Sequence, residues 1–425
     1  MIRVDSQPLY DALCPEWKLA PAPEPEERLS IGPLSSPVTA PGEPITFGVS
    51  LLRHGKPVSG IGLKCRMERE FHDPVEFPLP TRSAPVEVTT DLERPGFVRL
   101  EVKFGELTAA AGGGVSPLEI AGLPDVPGFD EFWRRQLALL RSVPMTVLKL
   151  EEIAPVLPEY ADRVRCFDLR VACAGAKPLS AILAMPRHAA PRSCPAYAFF
   201  HGAGVRSAFQ PLTWAAHGLI ALNVNAHGIE NNQPPEYYQE LEKGELADYA
   251  RRPVLEGEAS PFRDMFLRVL RSLEFLRSLP EWDGKNLAVH GGSQGGLQAL
   301  AATAFDPAVT VGLFNAPAGC DQLGVLIGRA PSWPGAVSFH PVSPEANRCA
   351  ALFDGVSLAR RSHAKAWFTV GFSDPAAVPS SVYAAFNAYG GTEKEIMDFP
   401  DCGHAGAVFW AGEAELLREL TGAGL

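Results

Sequence analysis

Strand-like and helix-like segments alternate through the last two-thirds of the chain, and this alternation limits the folds that the sequence can adopt. Short apolar runs of strand length are separated by stretches with helical periodicity, such as residues 261–278 and 380–390. A helix between two strands returns the chain to the starting edge of the sheet, so that the two strands run parallel. The pattern therefore predicts an α/β domain built on a mostly parallel sheet. The predicted strands are 197–201, 219–225, 286–290, 311–315, 366–372 and 395–399.

A different pattern precedes this domain. Four β-type runs with turn signals between them cover residues 44–52, 60–68, 85–90 and 97–104. Such spacing is typical of a small β-sandwich, and we expect an immunoglobulin-like module. Because 425 residues exceed what one hydrophobic core usually organises, two domains are expected. The predicted division is an irregular lead-in at 1–40, the sandwich at 41–107, a Gly/Ala-rich linker at 108–125 and the α/β domain at 126–425.

Within the α/β domain, residues 229–260 form a polar excursion that is too long for a simple connection. We interpret this excursion as a lid or an interface insertion.

Charge and cysteine usage exclude several classes of partner. The formal net charge of −11 leaves no basic surface for nucleic acid or an anionic membrane, so a small neutral substrate is expected. No stretch has the roughly 18 apolar residues that span a bilayer, and the acidic, proline-containing start lacks a secretory pattern. The eight cysteines are scattered without CxxC pairs, which favours free buried thiols over zinc sites. These features predict a cytoplasmic protein.

The sharpest chemical motif is His290-Gly-Gly-Ser-Gln-Gly-Gly, which lies between a predicted strand and a helix-like segment. A serine at a tight strand-to-helix turn exposes its hydroxyl, and glycines at 291 and 295 allow the backbone to cross closely there. This context predicts Ser293 as a nucleophile. The backbone N–H of Gln294, at the start of the helix, is then directed at a developing oxyanion.

A nucleophilic serine needs a base and a carboxylate that orients the base. Asp374 follows the apolar strand 366–372, and His404 lies between the strand 395–399 and a final predicted helix at 407–420. Asp401 is the alternative acid, but at three residues from the histidine it would need a contorted loop to face the imidazole. The order Ser293, Asp374, His404 is the one expected of the α/β-hydrolase fold, which we therefore predict.

A second oxyanion donor is expected from the glycine-rich segment that follows the first predicted strand, and we assign it to the backbone N–H of Ala203. His201 and His227 also follow strands, but both precede the serine. We therefore assign them to the candidate substrate pocket and not to the base. This set of residues requires no cofactor and no metal.

With these residues in place, the chain resembles the acetyl xylan esterase and cephalosporin C deacetylase family, carbohydrate esterase family seven. The resemblance covers most of 126–425 and does not extend to the β-rich residues before 105. It rests on the segments FDEFW (129–133), GGSQGG (291–296), FDGVSLARR (353–361), the Asp374 segment (370–391) and the final histidine loop.

The resemblance implies a cofactor-free serine esterase that deacetylates small esters such as acetylated xylo-oligosaccharides, and it implies assembly into homo-oligomers. Ser293, Asp374 and His404 then correspond to the catalytic triad, and Gln294 and Ala203 to the oxyanion donors. Three positions depart from the family. The Arg-Gly-Gln motif is replaced by His227-Gly-Ile, the His-Glu pair by His404-Ala405, and the tyrosine at the oxyanion loop by Ala203.

Two other functions remain open from the sequence. The same triad can cleave amides, which would give a peptidase or amidase. A catalytically silent protein that binds carbohydrate or a protein partner is the alternative from a different class.

Overall fold

A computed structural model describes residues 26–252, 260–339 and 343–405, together with Leu416, Glu419 and Leu420. The first 25 residues of the predicted lead-in, part of the polar excursion and most of the predicted final helix lie outside the described residues. No helix in the described part of the chain has the length and apolar character needed to cross a membrane. Within the same residues, no group of three or more His, Cys, Asp or Glu side chains is arranged to hold a metal ion.

Residues 27–115 form two β-sheets that pack face to face. Their strands are β1 (Glu27–Pro33), β2 (Val38–Thr39), β3 (Ile45–Arg53), β4 (Lys56–Pro57), β5 (Gly62–Arg69), β6 (Val75–Pro80), β7 (Val86–Thr90), β8 (Gly96–Phe104) and β9 (Leu107–Val115). One sheet has the order β1-β3-β4, with β7 also paired to β3, and the other has the order β2-β9-β8-β5-β6. Alternate apolar side chains of both sheets fill one shared core, to which Phe47 of β3 and Leu100 of β8 belong. A β-sandwich is therefore present, and its immunoglobulin-like character stays a prediction.

The predicted linker at 108–125 is wrong in its first half. Residues 107–115 form β9, which pairs antiparallel with the whole of β8. The glycines allow another backbone to come close and do not give the segment flexibility. A Cβ atom placed on Gly112 would lie 2.0 Å from the carbonyl oxygen of Phe372 in the α/β domain. The two domains are therefore in direct contact where a spacer was expected.

The predicted irregular lead-in at 1–40 also needs correction, because it ends in a strand. β1 pairs antiparallel with β3 from Glu27↔Arg53 to Pro33↔Phe47. In the segment ERLSIGP only Leu29 and Ile31 alternate as apolar residues, and both are partly buried against the core of the sandwich. Two apolar positions are too few to predict a strand from the sequence. The predicted sandwich, 41–107, therefore extends at both ends.

Residues 147–399 contain a nine-stranded sheet. Its strands are β10 (Val147–Ile153), β11 (Val164–Val171), β12 (Leu179–Pro186), β13 (Cys194–Phe200), β14 (Ile220–Val224), β15 (Trp282–Gly292), β16 (Val311–Asn315), β17 (Lys365–Gly371) and β18 (Lys394–Phe399). Their order in the sheet is β10-β11-β12-β14-β13-β15-β16-β17-β18. The six strands from β14 to β18 in this order pair in parallel, as predicted, whereas β10, β11 and β12 add an antiparallel extension to the edge at β14.

Helices cover the sheet, and their sequences explain where they lie. In 261–278, Ser260 caps the helix by accepting the N–H of Phe262, Pro261 occupies the first turn, and apolar residues at helical spacing face the main core. The helices are α1 (Phe129–Ser142), α2 (Leu212–Ala216), α3 (Pro235–Lys243), α4 (Pro261–Ser278), α5 (Gln294–Phe305), α6 (Ala336–Phe339), α7 (Pro344–Ala351), α8 (Gly355–Ala359) and α9 (Pro379–Ala388). The polar excursion thus contains α3, and its role as a lid or interface stays a prediction.

The described cysteines are all free thiols, and most of them are buried.

Candidate active site

Ser293 lies at the sharp turn between β15 and α5. Its backbone angles, φ 58° and ψ −125°, are strained for a residue with a side chain. The neighbouring glycines make the turn possible. A Cβ on Gly291 would lie 2.2 Å from the carbonyl carbon of Gly295, and a Cβ on Gly295 would lie 1.9 Å from the carbonyl oxygen of Phe200. The strand–turn–helix context predicted for this motif is confirmed.

A chain of hydrogen bonds joins Ser293, His404 and Asp374. The distance from Ser293 Oγ to His404 Nε2 is 2.9 Å, and the distance from His404 Nδ1 to Asp374 Oδ2 is 2.7 Å. A carboxylate can only accept, so Nδ1–H donates to Asp374 and Nε2 is left to accept the serine proton. The structure therefore brings together the three side chains predicted from the sequence.

The carboxylate of Asp374 is held firmly in its position in this series of hydrogen bonds. Asp374 is almost fully buried, with 1 % of its surface exposed. Its second oxygen, Oδ1, accepts the backbone N–H groups of Ala376 and Ala377 at 2.7 and 3.0 Å. These bonds fix the carboxylate in the turn after β17 and leave Oδ2 for the imidazole. Asp401, the alternative acid, is exposed beside Gly32 of the sandwich, and burial of part of its side chain raises its pKa.

Gln294 and Ala203, the two predicted backbone donors, belong to two separate segments that meet at the serine. Gln294 is the first residue of α5, where a backbone N–H has no partner within the helix. Gly202, which precedes Ala203, lies against the serine, because a Cβ on Gly202 would be 3.6 Å from Ser293 Cβ. The carbonyl of Gly202 accepts hydrogen bonds from His201 and Arg206. In a planar trans peptide the N–H of Ala203 points the opposite way, away from both donors.

His201 and His227 lie beneath the loop that carries Ala203 and support its backbone. His201 Nδ1 donates to the carbonyl of Gly202 at 2.7 Å, and its Nε2 accepts the N–H of Ala226 at 3.1 Å. His227 Nε2 lies 3.2 Å from the carbonyl oxygen of Gly204. Burial lowers the pKa of His201 to about 4 and that of His227 to about 3, so both rings are neutral. Their assignment to the substrate pocket stays a prediction, and the contacts place them in the backbone support of the site.

Sequence reasoning missed two residues of this region. Arg206 donates to the carbonyls of Gly202 and Ala203 and so holds the loop from its outer side. Tyr249, in the polar excursion, reaches the same loop through its hydroxyl. Neither residue belongs to a recognisable motif. Arg206 contacts backbone carbonyls that any sequence supplies, and the partners of Tyr249 are remote from it in the sequence.

The fold and this site define a class of protein, the α/β-hydrolases. The model of the family described as acetyl xylan esterase (AXE1) matches residues 123–416. The chain belongs to this family and is an ester-hydrolysing enzyme, which confirms the resemblance drawn from its sequence segments.

Individual relatives support the same assignment. The acetyl esterase Axe7A of Xylanibacter ruminicola is 27% identical over 316 residues, which are 72% of this chain and 70% of that protein. Among solved structures, an acetyl xylan esterase from Paenibacillus sp. R4 has a TM-score of 0.59 at 24% identity, covering 68% of this chain and 93% of that one. Acetyl xylan esterase 1 from Thermoanaerobacterium sp. JW/SL YS485 has a TM-score of 0.58 at 23% identity, covering 72% of this chain and 96% of that one. These two structures show the shared fold.

Proposed function

We propose that this protein is a serine carboxylesterase that removes acetyl or similar small acyl groups from esters of carbohydrates. The observation that carries the proposal is the hydrogen-bonded chain Ser293–His404–Asp374 at a strained strand-to-helix turn. Membership of the acetyl xylan esterase family supports the class of substrate.

In the first half of the reaction, Ser293 Oγ attacks the ester carbonyl carbon while its proton moves to His404 Nε2. Asp374 holds the Nδ1–H tautomer and stabilises the imidazolium charge. The C–O bond to the alcohol then breaks, the alcohol leaves with the proton from Nε2, and the acyl group remains on the serine. In the second half, water gives a proton to the same nitrogen and attacks the acyl carbon. The bond between this carbon and Ser293 Oγ then breaks, Oγ takes the proton back from Nε2, and the carboxylic acid is released.

The carbonyl oxygen gains negative charge in both halves of the reaction. The backbone N–H groups of Gln294 and Ala203 would stabilise this oxyanion, one from the start of α5 and the other from the loop after β13. Both donors are fixed before the substrate arrives, so that they need no reorganisation during the reaction.

The first test is hydrolysis of p-nitrophenyl esters from acetyl to octanoyl by the wild type and by Ser293→Ala. We expect turnover of the short esters, and a loss of at least about 10⁴-fold in the variant because the nucleophile is removed. We also expect the wild type to be labelled by a serine-directed fluorophosphonate and Ser293→Ala not to be labelled. A wild type that neither turns over esters nor labels would favour a silent binding protein. Faster cleavage of p-nitroanilides than of matched esters would favour an amidase.

The acyl pocket is the subject of a second prediction. Ala203 stands where the family has tyrosine, so a large ring is missing beside the proposed acyl site. We expect the wild type to accept butanoyl and longer esters at rates comparable to acetyl, and Ala203→Tyr to restrict turnover to acetyl. The backbone donor is kept in this variant, so acetyl ester turnover serves as its internal control. A strict preference of the wild type for acetyl across the series would refute the prediction.

A further inference from the structure

Tyr249 lies in the polar excursion, outside every motif of the site, and its ring is buried with 8% of its surface exposed. Its hydroxyl accepts the backbone N–H of Gly204 at 3.1 Å and donates to Gln294 Oε1 at 2.7 Å. The ring also packs edge-on against His227, with ring centroids 4.4 Å apart. One hydroxyl therefore contacts both segments that carry the proposed oxyanion donors.

We propose that Tyr249 is a positioning residue that fixes the distance between the backbone donors of Ala203 and Gln294. The inference rests on the proposed function, because it assigns Tyr249 a role in that same reaction. Tyr249 acts through the two segments and does not itself touch the reacting atoms.

The loop side of this contact needs an external support. Gly204, directly after Ala203, has φ 124°, a conformation that residues with side chains rarely adopt. Its N–H is held by Tyr249, and its carbonyl lies within hydrogen-bond distance of His227. Gly204, the residue that follows the proposed donor, is thus held at both its N–H and its carbonyl, which restricts the movement of the Ala203 backbone beside it.

At the start of α5, the contact with Tyr249 is made by the side chain of Gln294. This side chain is fully buried, and its Nε2 has no hydrogen-bond partner among the described residues. An unpaired buried amide is destabilising, so packing alone would favour an apolar residue of similar size. Among the described residues, the carboxamide makes one hydrogen bond, which is the bond to Tyr249. This bond explains why the position holds a glutamine and not an apolar residue. Burial also raises the pKa of the Tyr249 hydroxyl, which keeps its proton available for donation.

The same excursion supplies a matched control. Tyr238 in α3 is also buried, and its hydroxyl accepts the N–H of Gln233 and donates to the carbonyl of Glu230. It makes the same pattern of bonds as Tyr249, but all of them remain inside the excursion. Tyr→Phe exchange at both positions therefore removes equivalent hydrogen bonds, of which only one pair reaches the oxyanion segments.

The experiment compares Tyr249→Phe and Tyr238→Phe in the full-length protein with p-nitrophenyl acetate. We expect Tyr249→Phe to lower kcat by roughly tenfold or more, with KM within about twofold, because the donors act mainly in the transition state. The rate of fluorophosphonate labelling should fall in parallel. Tyr238→Phe should keep kcat, although its thermal stability should decrease to a similar extent. Equal kcat values in the two variants would overturn the inference.

A second variant tests the coupling itself. Gln294→Met keeps the backbone donor and the side-chain volume but removes the acceptor for Tyr249. We expect it to lower kcat, and the double variant with Tyr249→Phe to be little slower than the slower single variant, because both break the same contact. Multiplicative effects of the two substitutions would contradict the proposal. If the wild type itself neither hydrolyses esters nor labels, the proposed function fails and this inference fails with it.

Discussion

Three buried histidines support the site in their neutral form. His201 and His227 hold the loop that carries Ala203, and His290, directly before the nucleophile turn, lies 2.7 Å from the hydroxyl of Tyr197. Burial is the main cause of the lowered pKa at each position, to about 4, 3 and 3 in the order named. A positive charge on any of these rings would be buried away from water, which is energetically unfavourable.

This arrangement predicts that the protein loses stability in mild acid. In the unfolded chain a histidine binds a proton near pH 6.5, whereas the buried rings do so only near pH 3 to 4. Below about pH 6.5 the unfolded state therefore holds more protons, and the free energy of unfolding decreases as the pH falls. Each such histidine contributes a slope of about 1.4 kcal/mol per pH unit. Above about pH 6.5 these histidines are neutral in both the folded and the unfolded state, and their full contribution to the free energy of unfolding is present.

Chemical unfolding between pH 7.5 and pH 5 measures this slope. His290→Gln removes one of the three groups and should make the decrease with pH shallower, whatever its effect on stability at pH 7.5. The same exchange at His72, which is exposed, controls for the removal of a histidine as such. An unchanged slope in His290→Gln would show that this ring does not resist protonation in the folded state.

At the scale of single elements, the sequence predicts structure well where the determining residues are neighbours in the chain. The turn at Ser293 needs glycines at fixed positions beside it, and these are visible in the motif. β9 could not be predicted, because a Gly/Ala-rich segment suits both a flexible linker and a strand pressed against another backbone. The two are distinguished only by contacts in the folded protein, such as the pairing of β9 with β8 and the close approach of Phe372, which is remote in sequence, to Gly112.

The residues of the proposed site also differ in whether the sequence predicts them. Asp374 and His404 follow predicted strands, and the parallel sheet brings the carboxyl ends of those strands to one edge. Tyr249 could not be predicted, because its partner Gln294 is 45 residues away and its own surroundings suggested only a polar excursion. Residues that hold a site through contacts with segments remote in the sequence therefore appear only once the fold is known.

At the scale of the whole molecule, the sandwich contacts the loops that carry Asp374 and His404. Arg99 Nε donates to the carbonyl of Ser373 at 3.1 Å, and Gly112 N–H donates to the carbonyl of Pro400 at 3.2 Å. Phe97 packs edge-on against Phe372, with ring centroids 5.0 Å apart.

The buried carboxylate of Glu70 crosses the same interface between the sandwich and the α/β domain, where it accepts hydrogen bonds from the hydroxyl of Ser380 and the N–H of Ala330. The sandwich is therefore part of the support of the proposed active site.

Gly112→Ala tests this dependence. The added Cβ would lie 2.0 Å from the carbonyl oxygen of Phe372, a distance that real contacts do not reach, so that β9 and the end of β17 must move apart. Phe372 is two residues before Asp374, and a small displacement of a catalytic group is costly in rate. We expect kcat to fall by roughly tenfold, together with a lower melting temperature.

Gly62→Ala is the matched control, since Gly62 lies on β5 of the same sheet and an added Cβ would meet nothing within 4 Å. This variant should behave as the wild type. Rates are compared below the onset of unfolding and per active site titrated with fluorophosphonate, so that a lower rate reports on geometry and not on loss of folded protein. If Gly112→Ala is destabilised but keeps its rate per active site, the sandwich stabilises the fold without setting the position of Asp374. A reduced rate per site would mean that the position of Asp374 depends on a contact made across the interface between the two domains.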